Sequence, residues 1–343
     1  MIPWLLRNEY ADDEFFANMK TLFSVHNLAY QGSFEKSIAP KIGLSVDGDA
    51  TSDFEIYDRI NFLKTGLVAA DAITTVSPTY AQEIQQDEEL SAGLKDVLLS
   101  RKKDIYGILN GADYSIWNPE TDELAAAQFS VNDLAGKLEN KKALAEAANL
   151  PFDENVPIIG IISRLVDQKG FDLIADVLEK IPALNCQLVI LGLGDEKYHK
   201  LFEKAAKDMP NNISPSLKFD EQLAHLIEAG SDIFLMPSRY EPCGLNQMYS
   251  LKYGAVPVVR RTGGLADTIL DFVQDPEKGN GFVFDDYESN AMLSALQNAL
   301  KAFQDQKTWK KIQKRGMKAN FSWNTAAENY IKVYQKLESK KQA

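Results

Sequence analysis

The sequence predicts an α/β protein of two parts, a complete Rossmann-like second half and a first half with the same alternation of strands and helices but fewer strands. Two observations support this fold class. The second half alternates short, almost continuously apolar segments with amphipathic helical segments, and the first half repeats this alternation with about half as many strands. Apolar strands joined by helical crossovers are typical of a parallel sheet covered on both faces. A chain of 343 residues is long enough for two such domains.

The first half contains three predicted strands with helices between them. The segment "NFLKTGLVAA" predicts one helix, and "SPTYAQEI" predicts another that is capped by Ser77 and has Pro78 in its first turn. Two interpretations remain open, a small lobe or a domain that lacks its beginning. The strands are predicted at residues 21–27, 73–77 and 105–111.

The second half contains six predicted strands, which is a full Rossmann-like set. Helical patterns such as "FDLIADVLEKI" and "EQLAHLIEAG" lie between most of them. The strands are predicted at residues 157–163, 186–192, 213–219, 232–238, 256–261 and 281–284.

The composition divides the chain into four segments. A charged, alanine-rich stretch bounded by Pro119 and Pro151 is typical of a helical connector. The end of the chain predicts an amphipathic helix, capped by Ser322 or Asn324 and followed by a basic tail. The predicted segments are a partial first domain at 1–117, the connector at 118–150, the second domain at 151–321, and the final helix and tail at 322–343.

The composition also argues against several classes of protein. A net charge of −12 argues against a surface for nucleic acid or acidic membranes, because such surfaces need clustered cations. Two cysteines without metal or redox spacing favour a reducing compartment. No apolar run has the length of a membrane span, and the first residues lack the pattern of a signal peptide. Three histidines argue against a multi-histidine metal centre.

Ligands of open parallel sheets bind beyond the carboxyl ends of the strands, so the residues there are the candidates for chemistry. Arg164 follows the first strand of the second half, and Lys169 precedes the next predicted helix. An anion bound between them would offset the unfavourable interaction of a cation with the start of a helix. The alternative is a pair of solvated loop cations. After the second strand, Gly192 and Gly194 form only part of a dinucleotide fingerprint, and an ordinary turn is favoured there.

Glu241 lies in the stretch "SRYEPCGLNQMYSLKYG", which follows the fourth strand of the second half. Pro242 is predicted at the first position of a helix, and Gly244 would let a ligand approach the backbone. The amides of the first helical turn suit an anion, whereas Glu241 would repel one. Its target is therefore predicted to be neutral and rich in hydroxyl groups, such as a sugar. The alternative is an ordinary acidic first turn.

Further polar residues follow other strands. Arg260 and Arg261 precede the glycine pair of "TGGLADTI", His26 and Asn27 follow the first strand, and Asn110 precedes a glycine. Each of these has an ordinary structural explanation when taken alone. Together with Arg164, Lys169 and Glu241, they predict a cleft for a diphosphate that carries a polar group.

Six long motifs occur in the order in which a known family has them: "VHNLAYQG", "VSPTYAQEI", "LNGADYSIWNPETD", "ISRLVDQKG", "SRYEPCGLNQMYSLKYG" and "RRTGGLADT". The chain thereby resembles bacterial glycogen synthase and plant starch synthase, from about residue 20 to the final helix. These are ADP-glucose-dependent α-1,4-glucan synthases of the GT-B fold, in which two Rossmann-like domains face a cleft and the last helix crosses back to the first domain.

The resemblance implies a role for each candidate residue. Arg164 and Lys169 would hold the donor diphosphate, and Glu241 would bind the glucose hydroxyls. Together with His26 they are the predicted catalytic residues. The predicted substrate-binding residues are Asn27 and Asn110 at the glucose, Phe219 near the adenine, the amides of Cys243, Gly244, Leu245 and Asn246 at the distal phosphate, and Thr262, Gly263 and Gly264 in the second glycine loop.

Three departures from the family pattern stand out. Asn246 stands where many members have Thr and is still expected to reach phosphate. Tyr249 stands where many other GT-B transferases carry a second Glu, a substitution that is normal within the glycogen synthase branch. The family's Lys-x-Gly-Gly-Leu loop has no counterpart in the first domain. The first domain is therefore expected to lack its N-terminal half, and the chain is expected to bind ADP but to elongate glucan poorly.

The resemblance thus implies a retaining glucosyltransferase of the bacterial cytoplasm, with ADP-glucose as donor substrate, glycogen as acceptor, and no cofactor or metal. Two alternatives remain open. One is a remnant that binds nucleotide or glucan without turnover, and the other is a GT-B relative that uses UDP-glucose.

Overall fold

The computed structural model describes residues 1–43 and 53–339. In chain order, the strands within these ranges are β1 (Leu22–Val25), β2 (Ser33–Glu35), β3 (Glu55–Ile56), β4 (Arg59–Asn61), β5 (Ala72–Thr75), β6 (Ile105–Gly107), β7 (Ile158–Ile162), β8 (Gln187–Leu191), β9 (Ile213–Ser216), β10 (Ile233–Met236), β11 (Val256–Arg260) and β12 (Phe282–Phe284).

The helices within the same ranges are α1 (Ile2–Asn8), α2 (Phe62–Ala69), α3 (Pro78–Gln86), α4 (Glu88–Ser91), α5 (Lys95–Ser100), α6 (Ala135–Ala147), α7 (Phe171–Val177), α8 (Glu196–Asp208), α9 (Glu221–Gly230), α10 (Asn246–Lys252), α11 (Gly263–Thr268), α12 (Ser289–Phe303), α13 (Gln306–Lys318) and α14 (Trp323–Ser339). None of these helices is both long enough and apolar enough to cross a lipid bilayer.

The chain forms two compact units. Unit one contains residues 1–110 and the C-terminal segment from residue 324, and unit two contains residues 111–323. This division differs from the predicted segments, because the predicted connector lies within unit two. There, the buried ammonium of Lys137 on α6 donates to the carbonyls of Ala229 (3.0 Å) and Tyr253 (2.9 Å).

Unit one is built on the three strands that the sequence predicts. They form a parallel sheet in the order β1-β5-β6. The Asn61 side chain caps α2 by accepting from the amide of Lys64, and Ser77 caps α3 by accepting from that of Tyr80. Both helices are confirmed, including Pro78 in the first turn. Helix α14 packs on this unit, where Val333 and Leu337 share an apolar cluster with Ala72 and Ile108.

Unit one also contains a second sheet, which the sequence did not predict. Strands β2, β4 and β3 pair antiparallel in that order. They are only two or three residues long, and β2 is exposed throughout. Such short strands carry too few residues to show an alternation of apolar and polar side chains.

Unit two is a six-stranded parallel sheet in the order β12-β11-β10-β7-β8-β9. All six predicted strands are confirmed, although each is shorter than expected. Successive residues of the central strands point to opposite faces and enter different apolar clusters: Leu188 and Ile190 lie in one, Val189 and Leu191 in the other. Burial on both faces explains why these strands read as continuous apolar runs.

The strand order places β7 beside β10, although the two are distant in the sequence. The chain leaves β7 toward one edge of the sheet and returns at β10 to build the other edge. Ligands of open α/β sheets bind beyond the carboxyl ends of the strands at such a reversal. The loops after β7 and β10 are therefore the structural candidates for a binding site.

Candidate active site

Four loops of unit two converge at the carboxyl edge of its sheet, and glycines allow the close approach. The loop after β8 packs against the loop after β7. A Cβ atom at Gly192 would lie 1.8 Å from the Ser163 carbonyl oxygen, and one at Gly194 would lie 2.2 Å from that of Leu165. The amide of Leu165 also donates to the carbonyl of Leu193 (2.8 Å). The Gly192–Gly194 pair therefore serves backbone packing, in agreement with the turn interpretation.

The loop after β7 also packs against the loop after β10. Gly170 adopts a left-handed backbone with φ +77°, and a Cβ there would lie 2.1 Å from the carbonyl oxygen of Pro237. The amide of Arg239 donates to the carbonyl of Gln168 (2.9 Å). These contacts fix the position of Lys169, which lies between Gln168 and Gly170.

Lys169 and Glu241, predicted separately, form an ion pair across the two loops. The Nζ atom of Lys169 lies 2.5 Å from Oε2 of Glu241. The hydroxyl of the buried Ser238 donates to the same oxygen at 3.1 Å. Glu241 is only 6% exposed, whereas the Lys169 side chain is 19% exposed. A buried carboxylate with a cation and a hydroxyl donor is held in one orientation.

Arg164 lies on the same loop as Lys169 but is exposed. Its guanidinium donates to the side-chain oxygen of Gln168 at 3.4 Å. The structure therefore places both predicted diphosphate cations on one short loop after β7. The neighbouring cation, Arg260, is used differently, since it donates to the carbonyls of Ser238 (3.1 Å), Asp285 (3.1 Å) and Arg239.

The segment after Glu241 differs from the prediction. Pro242 does not begin a helix, because α10 begins at Asn246 and Leu245 is its N-cap. The intervening Gly244 has φ +71°, a left-handed conformation that cannot continue into a right-handed helix. The amides of Cys243 and Gly244 thus belong to a loop that precedes the helix.

Asn246, the first residue of α10, has a hydrogen-bond partner within unit two. Its side-chain amide donates to the carbonyl of Ile162 at the end of β7 (2.7 Å). In this structure it joins the start of α10 to the strand that carries the Arg164 loop.

Tyr249 lies one turn later, and its ring stacks on Trp117 at a centroid distance of 4.4 Å. The other face of Trp117 stacks on His225 at 3.9 Å. Tyr249 therefore packs α10 against neighbouring segments of unit two.

The glycine pair of the last loop allows close packing against the Glu241 loop. A Cβ at Gly263 would lie 2.0 Å from the carbonyl oxygen of Glu241, and one at Gly264 would lie 2.0 Å from that of Cys243. The amide of Gly264 donates to the carbonyl of Glu241 at 3.1 Å. Thr262 is buried and precedes α11. The backbone of this loop thus packs directly against the backbone of the Glu241 loop.

Phe219 follows the edge strand β9 and precedes α9, so it lies at the same edge of the sheet. Its side chain is 86% exposed. Its ring is therefore accessible at the edge of the sheet, where the resemblance implies the adenine.

The three predicted residues of unit one follow its parallel strands. His26 is exposed directly after β1, and the Asn27 side chain accepts from the amide of Ala29 at 2.9 Å. Asn110 follows β6 after two residues, and its buried Oδ1 has no hydrogen-bond partner among the described residues.

Sequence reasoning missed Ser238 and Gln247. Ser238 contacts the carboxylate of Glu241, and Gln247 donates to the carbonyls of Cys243 (2.9 Å) and Gly244 (3.0 Å). The signal for Ser238 was its position directly after a strand and three residues before Glu241. A glutamine in a first helical turn carries no comparable signal. Among the described residues, no cluster of His, Cys, Asp and Glu could hold a metal ion.

Comparison with known families and structures points in one direction. The family described as "Starch synthase catalytic domain" matches residues 1–100, and "Glycosyl transferases group 1" matches residues 144–318. Glycogen synthase of Thermosipho melanesiensis is 47% identical, over 99% of this chain and 71% of the relative. That of Geotalea daltonii is 48% identical, over 99% of this chain and 70% of the relative.

The structures agree with the sequences. The catalytic domain of starch synthase IV from Arabidopsis thaliana, bound to ADP and acarbose, superposes with a TM-score of 0.88 at 35% identity, over 98% of this chain and 71% of that one. Sucrose-phosphate synthase from Thermosynechococcus elongatus, at 19% identity and a TM-score of 0.57 over 93% of this chain and 68% of that one, shares the fold alone. The chain therefore belongs to the glycogen and starch synthase family of GT-B hexosyltransferases.

Proposed function

We propose that this protein transfers glucose from ADP-glucose to the non-reducing end of an α-1,4-glucan such as glycogen, with retention of the anomeric configuration. The observation that carries this proposal is the Lys169–Glu241 ion pair, which joins the loops after β7 and β10 where the strand order reverses. It is supported by relatives that are glycogen synthases and by a similar structure that holds ADP and acarbose.

Two kinds of group hold the donor, one that attracts the anionic diphosphate and one that repels it and binds the neutral sugar. Arg164, Lys169 and the amides of residues 243–246 bind the diphosphate, because cations and backbone amides both attract phosphate oxygens. Donor binding gives the Lys169 ammonium a second anionic partner beside Glu241. Glu241 itself repels phosphate, so its carboxylate accepts from the neutral hydroxyls of glucose.

The reaction breaks the bond between the anomeric carbon of glucose and the departing diphosphate. A new bond forms on the same face between that carbon and the 4-hydroxyl oxygen of the glucan. The departing diphosphate takes the proton of this hydroxyl and carries the developing negative charge. Arg164, Lys169 and the loop amides stabilise that charge, which is the main contribution of the protein to catalysis.

The remaining predicted residues take supporting roles. His26, Asn27 and Asn110 contact glucose, Phe219 contacts the adenine, and Thr262 supports the Glu241 loop together with the glycine pair. The buried amide oxygen of Asn110 has no donor among the described residues, which suits the hydroxyl group of a sugar. Cys186 and Cys243 are buried and form no disulfide within the described residues, which fits a protein of the bacterial cytoplasm.

A transfer assay tests the function directly. The purified chain is incubated with glycogen and either labelled ADP-glucose or labelled UDP-glucose, and incorporation into glycogen is measured. We expect incorporation from ADP-glucose to exceed that from UDP-glucose. Preference for UDP-glucose would reassign the donor, and ADP binding without incorporation from either would support a nucleotide-binding protein without turnover.

A further inference from the structure

Gln247 is a buried glutamine in the first turn of α10 that holds the preceding loop by two hydrogen bonds. Its side chain has no exposed surface. The Nε2 atom donates to the carbonyl of Cys243 at 2.9 Å and to that of Gly244 at 3.0 Å. One side chain thus fixes two consecutive peptide groups.

These two bonds determine where the loop amides point. In a trans peptide the carbonyl and the N–H group point in opposite directions. Because the carbonyls of Cys243 and Gly244 point at Gln247, the N–H groups of Gly244 and Leu245 point away from it. Gly244 has φ +71° and Leu245 has φ −121° and ψ −35°, so a left-handed residue precedes a right-handed one. Consecutive amides in such a pair form a concavity that binds anions.

The loop is also shaped to accept this glutamine. A Cβ atom at Gly244 would lie 2.4 Å from Oε1 of Gln247, so only glycine lets the side chain fold back this far. Without the Gln247 amide, both carbonyls would lose the hydrogen bonds that hold them toward it, and nothing in this side chain would oppose rotation of the two peptide groups. The rotated carbonyls would then face a bound phosphate and repel it.

The geometry points to Gln247 as a positioning residue for the leaving diphosphate. It touches no substrate, and it acts by holding the amides of Gly244 and Leu245 toward the phosphate before the donor arrives. Donors that are oriented in advance cost no reorganisation during the reaction. This inference rests on the proposed function, in which these amides receive the distal phosphate of ADP-glucose.

The test replaces Gln247 by Met, which has a similar length but no donor, and measures the affinities for ADP and for adenosine. Adenosine lacks the phosphates and serves as the internal reference. We expect Gln247→Met to weaken ADP binding about tenfold or more, to leave adenosine binding nearly unchanged, and to lower kcat for glucose transfer. A second variant, Gln247→Asn, keeps a neutral amide that is one methylene too short, and should give the same pattern.

A glutamine of the neighbouring helix α13 offers a matched control. Gln313 is also buried, and its Nε2 donates to the carbonyl of Gly254 (2.8 Å), just beyond the other end of α10. Gln313→Met should lower the melting temperature by a similar amount without changing the ratio of ADP to adenosine affinity. This comparison separates the orientation of the amides from general destabilisation.

Each outcome has one meaning. If the wild-type chain prefers ADP over adenosine and both folded Gln247 variants keep that preference, the inference is wrong and the proposed function stands. If the Gln313 variant loses the preference to the same extent, the effect is not specific and the inference is again overturned. If the wild-type chain shows no preference for ADP, the diphosphate site of the proposed function fails, and the role of Gln247 fails with it.

Discussion

Lys169 is half of an ion pair and also the predicted partner of the donor diphosphate. We expect Lys169→Ala to lower turnover by about 10²–10³, the effect of losing one oriented group that stabilises developing charge. It should also lower the melting temperature, because it leaves the buried Glu241 carboxylate without its cation. Steady-state kinetics and thermal unfolding measure the two effects.

Lys204 provides the control for Lys169. It forms an exposed pair with Asp208 on α8 at 2.5 Å. An exposed pair contributes little to stability, so Lys204→Ala should leave both turnover and melting temperature nearly unchanged. Near-normal turnover of Lys169→Ala would show that Lys169 stabilises the loop but does not act on the diphosphate.

Glu241 is expected to act on the sugar rather than on the nucleotide. Hydrogen bonds to a charged group are worth about 1.5–3 kcal/mol, so Glu241→Gln should slow glucose transfer by about 10- to 100-fold. ADP affinity should change much less, because the diphosphate groups remain. Transfer rates and ADP titration of the same variant provide the comparison, and equal losses in both would contradict a role at the glucose.

Glu228 on α9 is a buried carboxyl group whose oxygens lack hydrogen-bond partners among the described residues. Burial raises its pKa well above the usual value of 4.5, although the nearby Lys137 opposes the shift. The folded protein therefore keeps a proton that the unfolded chain loses above about pH 4.5, and stability falls as the pH rises through that range.

The isosteric substitution Glu228→Gln removes this titration. We expect the free energy of unfolding of the variant, relative to wild type, to increase as the pH rises from about 4.5. Urea unfolding of both proteins at a series of pH values tests this. A constant difference between them would show that Glu228 titrates alike in the folded and unfolded states.

At the scale of elements, the site depends on loops that touch through glycine. The start of α11 supports the Glu241 loop so closely that a Cβ at Gly264 would lie 2.0 Å from the Cys243 carbonyl oxygen. A backbone atom cannot move aside as a side chain can. Gly264→Ala should therefore displace residues 241–243 and lower turnover by about 10²-fold, since misplacement by about 1 Å can have that effect.

Gly43 gives the control for this prediction. Among residues 1–43 and 53–339, no atom lies within 4 Å of a Cβ added to it, although its φ of +75° makes alanine strained. Gly43→Ala should lower stability slightly and leave turnover intact. If Gly264→Ala has normal kinetics, the close contact does not position the Glu241 loop.

At the scale of the whole molecule, the proposed ADP contacts are concentrated in one continuous segment. Unit two, residues 111–323, has its own six-stranded sheet with apolar clusters on both faces, and it carries Arg164, Lys169 and the loop at residues 241–246. We expect residues 111–323, expressed alone, to fold and bind ADP. Calorimetric titration measures this, with Arg164→Ala in the same segment as the control that should bind more weakly. Absence of binding by the folded segment would place essential ADP contacts in unit one.

Much of this architecture could be predicted because the physical signals are local. Strands β7, β8 and β10 are buried on both faces and therefore appear as apolar runs. The predicted cap Ser77 accepts from an amide three residues away, and α9 has the predicted bounds Glu221–Gly230. By contrast, the two- and three-residue strands of the second sheet in unit one left no pattern in the sequence.

The sequence by itself determined the α/β class, the strands of both parallel sheets, the family, and the candidate residues at the strand ends, because these follow from burial patterns and motifs of neighbouring residues. Only the tertiary structure paired Lys169 with Glu241, turned the Asn246 amide toward Ile162, and began α10 at Asn246 rather than Pro242. The two side-chain contacts join residues that are 72 and 84 positions apart in the chain. No local pattern specifies which distant side chains the folded sheet brings together. The hydrogen bonds from Gln247 to Cys243 and Gly244 span only three or four residues, but they were not predicted either, because a glutamine in a first helical turn has no distinctive sequence signal.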